Sequence, residues 1–164
     1  MNDEGASDSR IYELAKIVNR DNLELGENSQ IDDFVFLNAG EFTQVGNNSC
    51  IHAGSRVIGG GELEVGDNVA ITYNCVLVTG YPQPSSHMST CVPKRRKDTI
   101  TGKISIGDEA FVGSCSVIMP NTVIGKGSVV CALSYVDEDI PPWTVQYPDG
   151  TRRDREPFPV YESK

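Results

Sequence analysis

Histidine, aromatic residues and positive charge are all scarce in this chain of 164 residues. Only two histidines are present, His52 and His87, so chemistry that needs a proton acceptor near neutrality has two imidazoles to draw on. Aromatics make up 7% of the sequence. Fourteen Lys and Arg stand against 23 Asp and Glu, a net charge of −9, which argues against a broad grip on a nucleic-acid backbone. Apolar runs are only a few residues long, so no span of a bilayer is expected. The N-terminal stretch MNDEGASDSR is acidic and polar and predicts neither a secretory signal nor a transit peptide. The five cysteines, Cys50, Cys75, Cys91, Cys115 and Cys131, are an odd number and contain no Cys-x-x-Cys pair. A disulfide framework and a structural metal site are therefore not expected, and a reducing cytoplasm is predicted. The length suits a single domain.

What the chain has in quantity is a repeat. Ile106, Val112, Ile118, Ile124, Val130 and Val136 fall six apart without a gap. Ala110, Ser116, Thr122, Ser128 and Ser134 stand two residues before the last five of these anchors. Further upstream Leu25, Ile31 and Leu37 are six apart, eight residues lead to Val45, and Val45, Ile51, Val57 and then Val65, Ile71, Leu77 repeat the pattern. All fifteen anchors are Leu, Ile or Val, and each of the five units of three opens on an apolar residue followed by Gly: Leu25-Gly26, Val45-Gly46, Val65-Gly66, Ile106-Gly107 and Ile124-Gly125. A helix repeats apolar residues at three and four and a plain strand at two. Period six fits a short strand plus a turn with one side chain per step in a shared core, and three steps per unit make a three-sided coil. Gly and Asn after the anchors supply the turn geometry. Five stacked coils would stand roughly 24 Å tall at the strand spacing.

Four segments interrupt this plan. Residues 9–19 carry Ile11, Leu14, Ala15 and Val18 at helical spacing and predict a short amphipathic helix capping the base of the coil, within an N-terminal region 1–22. The β-solenoid proper is expected over 23–146. Between Leu77 and Ile106 a loop over 79–103 holds three prolines and the basic run Lys94-Arg95-Arg96-Lys97; a long loop in a compact repeat is frequently functional. After Val136 the sequence Ile140-Pro141-Pro142-Trp143 stops the repeat, and a charged tail over 147–164 is expected on the surface.

The anchors and their flanking small residues resemble the hexapeptide-repeat, left-handed parallel β-helix family of acyltransferases. The resemblance covers residues 25 to about 146. It implies a mainly β protein, a left-handed solenoid of about five coils with a short N-terminal helix and a protruding loop. It also implies acetyl-CoA as co-substrate, a sugar or sugar nucleotide as acceptor, and a homotrimer with clefts between neighbouring coils. Two departures stand out. The family's Thr-Gly-Ser-His or Thr-x-x-His stretch reads Thr79-Gly80-Tyr81-Pro82 here, and its Gly-x-Pro-Ala-Lys segment is replaced by Val145-Gln146-Tyr147-Pro148-Asp149-Gly150.

Acyl transfer needs a base for the acceptor's proton, stabilisation of the thioester oxygen, and both reactants held together. Either histidine is a candidate base. His87 lies in the loop, five residues beyond Pro82, and His52 follows the anchor Ile51 and points out of the coil. Asn74 and Tyr81 are candidate acceptor-binding residues. Along the outer groove that the family uses for pantetheine, Ser114 and Ala132 offer small side chains, and Lys126, or Arg152 or Arg153, offers a cation for the phosphates. The Lys94–Lys97 run is an alternative phosphate contact, for a sugar-nucleotide diphosphate. Cys75, two before Leu77, reads as packing, and no Cys-His-Asp or Ser-His-Asp arrangement stands out. Two other readings compete. One is a non-catalytic β-helix scaffold or inactive relative, favoured by the two departures. The other is a γ-type carbonic anhydrase, which needs three histidine ligands where this chain has two histidines in all.

Overall fold

Strands of two to four residues alternate with tight turns, which is why an anchor recurs every six residues. In the computed structural model, which describes residues 8–89 and 91–158, these strands stack into three parallel sheets around one axis. The first face has eight strands, from Arg10–Ile11 through Gln30–Ile31, Cys50–Ile51, Ala70–Ile71, Phe111–Val112, Val129–Val130 and Thr144–Gln146 to Arg152–Asp154; the last is antiparallel. The second face has six strands and the third five, extended by a bridge between Ile124 and Ile140.

Register follows the anchors. Ile31, Ile51, Ile71, Val112 and Val130 pair in sequence on the first face, Leu37, Val57, Leu77, Ile118 and Val136 on the second, and Leu25, Val45, Val65, Ile106 and Ile124 on the third. Most of these side chains are wholly enclosed, Ile51 and Leu77 among them. Full burial stabilises by roughly 1.5–3 kcal/mol for each such side chain. The small residues two before the anchors are buried at the corners, where their hydroxyls tie coil to coil. Ser49 donates to the Gly66 carbonyl at 2.8 Å and accepts from the Val69 amide at 3.0 Å; Ser55 does the same with Thr72 (2.8 Å) and Cys75 (3.1 Å).

The N-terminal helix expected over residues 9–19 does not form. Arg10–Ile11 and Lys16–Val18 are strands, and Ile11 and Ile17 pair with Ile31 and Leu37. Ile11, Ile17 and Leu25 follow the same steps of six and eight as the later units, so this stretch is one more coil. Helical packing would bury Leu14 beside Ile11, but Leu14 is 59% exposed. The solenoid accordingly makes about seven turns, not five. Among the described residues helix is confined to two 3₁₀ turns, Arg20–Asn22 and Lys94–Arg96, and no helix is long and apolar enough to cross a membrane.

The eight-residue steps all span the corner between the second and third faces. The long loop leaves from that corner as an arm. Its root is an antiparallel ribbon, Gly80–Pro82 against Thr99–Thr101, with Tyr81 opposite Ile100. Ser86 fastens the loop beyond it: its hydroxyl donates to the Gln83 carbonyl at 2.9 Å and accepts from the Asp98 amide at 3.1 Å. After Gly150 the tail doubles back along the last strand of the first face, and Arg155 donates to the Gly127 carbonyl at 2.7 Å.

Candidate active site

The corner between the first and second faces collects three of the polar side chains singled out from the sequence, His52, Asn74 and Ser114. The residue after each first-face anchor opens a turn there: Asp32, His52, Thr72, Gly113 and Cys131 on successive coils. The next position holds Asp33, Ala53, Tyr73, Ser114 and Ala132. The third lies in the left-handed region at Phe34 (φ 64°), Gly54 (φ 78°), Asn74 (φ 59°), Cys115 (φ 61°) and Leu133 (φ 66°). Gly54 is required by its neighbour, since an added Cβ would collide with the Asn74 side-chain amide.

His52 is the best-held group in this column. Its Nδ1 is 2.9 Å from Asp32 Oδ2, and the other Asp32 oxygen accepts from the Gln30 side chain at 3.0 Å. The ring stacks on Tyr73, centroids 4.9 Å apart and planes 18° from parallel. A carboxylate only accepts, so Nδ1 carries a proton, and in the neutral form of the ring Nε2 presents its lone pair. Nε2 lies 3.3 Å from Cys50 Sγ, and in that form the Cys50 thiol is the donor in the contact. Burial pushes the Cys50 thiol above its ordinary pKa, and the Asp32 charge adds to the effect. The His52 and Asp32 side chains are 23% and 20% exposed, sheltered yet open to a ligand.

One coil above, the Thr72 hydroxyl donates to the Val112 carbonyl at 2.7 Å. Its single proton is thereby used, so the Ser114 hydroxyl, 3.0 Å away, donates to Thr72. Ser114 is half-buried, and Ala132 is exposed directly above it.

His52, Asn74, Ser114 and Ala132 are therefore brought to one corner. The other named residues are not. Lys126 sits at the corner between the third and first faces, 3.7 Å from Glu109. Tyr81 is half-buried in the arm's ribbon, and His87 is exposed on the loop beyond it, both at the remaining corner. The arm's basic residues Lys94 and Lys97, with Pro82, Asp98 and Thr99, line an open depression of about 580 Å³. Arg152 reaches Gln146 Oε1 at 2.6 Å, and the Arg153 guanidinium lies over the Tyr147 ring. Cys75 is fully buried, as its place in the repeat predicts.

Sequence reasoning missed Asp32, Cys50 and Tyr73, and found no Cys-His-Asp arrangement where Cys50, His52 and Asp32 form one. The available signal was the coil length: Asp32, His52 and Thr72 are spaced by twenty residues, one full turn of the solenoid, and so stack.

This fold, with its register of six and its polar corner, defines a member of the hexapeptide-repeat acyltransferase family, and the chain belongs to that family. No family model matches the sequence. The chain is 28% identical over 140 residues to dTDP-4-amino-4,6-dideoxy-D-glucose acyltransferase of Escherichia coli, covering 83% of this chain and 72% of that one. It is 32% identical over 119 residues to galactoside O-acetyltransferase of Escherichia coli K12, covering 72% and 56%. A variant of AntD, an N-acyltransferase from Bacillus cereus solved in complex with dTDP and coenzyme A, superposes with a TM-score of 0.82 at 30% identity, covering 91% of this chain and 81% of that one.

Proposed function

We propose that this protein transfers an acetyl group from acetyl-CoA to an amine or hydroxyl of a sugar, most fittingly one carried on a nucleotide diphosphate, with His52 as general base. The observation that carries the reading is the His52–Asp32 contact of 2.9 Å on the same corner as Asn74, Ser114 and Ala132. The relatives supply the chemistry: one is named for an amino sugar on dTDP, one for a galactoside, and one binds dTDP with coenzyme A.

In this reading the pantetheine arm lies along the corner over Ala132 and Ser114, where side chains are short. The thioester then arrives near Thr72 and Ser114, within about two strand spacings, roughly 10 Å, of His52. The acceptor sits beside Asn74, and Nε2 takes its proton as nitrogen or oxygen attacks the thioester carbonyl. Asp32 holds the ring and offsets the charge it gains. His87 is the weaker candidate, because it is exposed and no hydrogen bond holds it among the described residues. Tyr81 and the arm's cations belong to the acceptor side, the cations facing a diphosphate. Lys126 belongs to the donor's phosphates only if Glu109 releases it.

A homotrimer fits the same corner. Phe34, Leu133 and Tyr135 are 67%, 72% and 57% exposed there, an apolar edge that a second copy would cover. Five unpaired cysteines fit a reducing compartment, the cytoplasm.

The test is thiol release from acetyl-CoA with amino and hydroxy sugars, free and nucleotide-linked. A positioned base contributes roughly 10²–10⁴-fold, so His52→Ala should lose about that much and His87→Ala little. Loss confined to His87→Ala overturns the assignment of the base. Failure of the wild-type protein either to release thiol or to bind coenzyme A at millimolar concentration leaves the scaffold reading in place. Sedimentation of a fully active monomer overturns the trimer.

A further inference from the structure

The second residue of each turn at the His52 corner belongs to a column whose side chains are short in the upper coils and interrupted once by an aromatic ring. From the base upward the column reads Asp33, Ala53, Tyr73, Ser114 and Ala132. Asp33 accepts from the Leu14 amide at 2.9 Å. Above it Ala53, Ser114 and Ala132 leave a shallow groove down the outside of the coil, and Tyr73 fills that groove midway. Tyr73 is 52% exposed and stands one coil above His52. Its ring lies on the imidazole of the coil below, centroids 4.9 Å apart and planes 18° from parallel. To make that stack the ring leans down to the level of Ala53 and across the groove. The imidazole beneath it is held by Asp32 at 2.9 Å, so the ring rests on a fixed surface. A stack covers one face of an imidazole and leaves Nε2, which lies in the ring plane, at the open edge.

We infer that Tyr73 is the specificity-determining residue for the acyl donor: its ring is the floor of the acyl pocket and holds the transferred group to a short chain, acetyl before butyryl. The inference rests on the reading that the pantetheine arm descends this corner past Ala132 and Ser114. The thioester then stands beside Thr72 and Ser114, and the acyl chain, which continues away from the sulfur, points down the column at Tyr73. Successive coils are about 4.8 Å apart, so the space between Ser114 and the ring takes the methyl of an acetyl group and not the propyl of a butyryl group. A longer chain must push the ring off His52, which frees the base to turn, or hold the carbonyl above Ser114, out of line with the acceptor. A misplacement of about 1 Å is enough to cost roughly 10²-fold in rate. The transfer itself stays direct. The acceptor attacks the thioester carbonyl and gives its proton to Nε2, the bond from that carbon to the CoA sulfur breaks, and the proton passes to the departing sulfur.

The experiment compares donors. Wild type, Tyr73→Phe and Tyr73→Ala are assayed with acetyl-, butyryl- and hexanoyl-CoA on the amino or hydroxy sugar that wild type acylates fastest, and kcat/KM is read for each donor. Wild type should favour acetyl over hexanoyl by about 100-fold or more. Tyr73→Phe keeps the ring and should keep that ratio, whereas Tyr73→Ala should lower it by at least about 10-fold. Tyr73→Ala also removes the stack on His52, so its rate with acetyl-CoA falls as well. That loss is common to all three donors and drops out of the ratio, which a merely structural role would leave unmoved. Ala53 and Ala132 occupy the same place in other coils, so the backbone accepts alanine at 73, and thermal unfolding checks it. Tyr73→Ser, which copies Ser114, is a second variant with the groove open, and the wild-type ratio tests the inference without any variant. Equal use of the three donors by wild type overturns the inference, as does an unchanged ratio in folded Tyr73→Ala; acetyl transfer then stands with a different floor. No thiol release from any donor and no coenzyme A binding would sink both this inference and the acyltransferase reading.

Discussion

His52 and His87 sit on two differently built parts of the molecule. Around His52 each coil is locked to the coils above and below in register, so residues twenty apart in the chain stack within hydrogen-bond reach. Around His87 the chain has left the solenoid. The arm's ribbon is only three pairs long, and the loop beyond it is fastened through Ser86 and by local turns. The first region can hold an imidazole against a carboxylate with little residual motion. The second presents an exposed histidine and a run of cations on a loop outside the coil, which suits gathering a charged ligand more than directing a proton.

The largest effect that would break this comparison is catalytic. His52→Ala should lower kcat/KM by about 10²–10⁴-fold, while His87→Ala stays within about twofold. The reverse order would place the chemistry on the arm. Next comes stability. Ile51→Ala removes a fully buried rung and should cost about 2–5 kcal/mol in urea unfolding, whereas Met88→Ala, 54% exposed on the arm, should change it by less than about 0.5 kcal/mol. Asp32→Asn sharpens the picture of the corner: loss of a charged hydrogen bond should reduce kcat by about 10- to 100-fold with little change in KM. Alkylation distinguishes the thiols of the two regions. Cys50 has a raised pKa, so a smaller fraction is thiolate at neutral pH, and it is half-buried where Cys91 is exposed, so at neutral pH Cys50 should react more slowly than Cys91. A small effect is also expected at the third corner, where Lys126→Ala removes an exposed ion pair with Glu109 and should shift stability by less than about 1 kcal/mol.

The departure from the family pattern at Pro82 takes on a definite meaning in the fold. Pro82 closes the ribbon opposite Thr99, at the corner between the second and third faces. The histidine that the family carries near this place has no counterpart on the ribbon here. The imidazole with a fixed partner is on another corner, two coils below Ser114. The changed segment after Trp143 likewise resolves into a turn and a returning strand, with Arg152 and Arg153 committed to Gln146 and Tyr147.

The sequence by itself determined the solenoid. One inward side chain per strand, at a fixed interval, is a one-dimensional rule, and the anchors from Leu25 to Val136 obey it because each must reach the same axis. It also determined where the arm leaves and that Cys75 is packed inside. The first coil was hidden because Ile11, Leu14, Ala15 and Val18 also satisfy a helical period, and only pairing of Ile11 and Ile17 with the coil above chooses between the two. The site was legible in part. His52, Asn74, Ser114 and Ala132 were visible as outward residues, but their shared corner, the separation of Lys126, and the line from Cys50 through His52 to Asp32 belong to the tertiary structure alone. Contacts between side chains on neighbouring coils depend on which way each corner turns, and that direction is set by backbone geometry that no single residue announces.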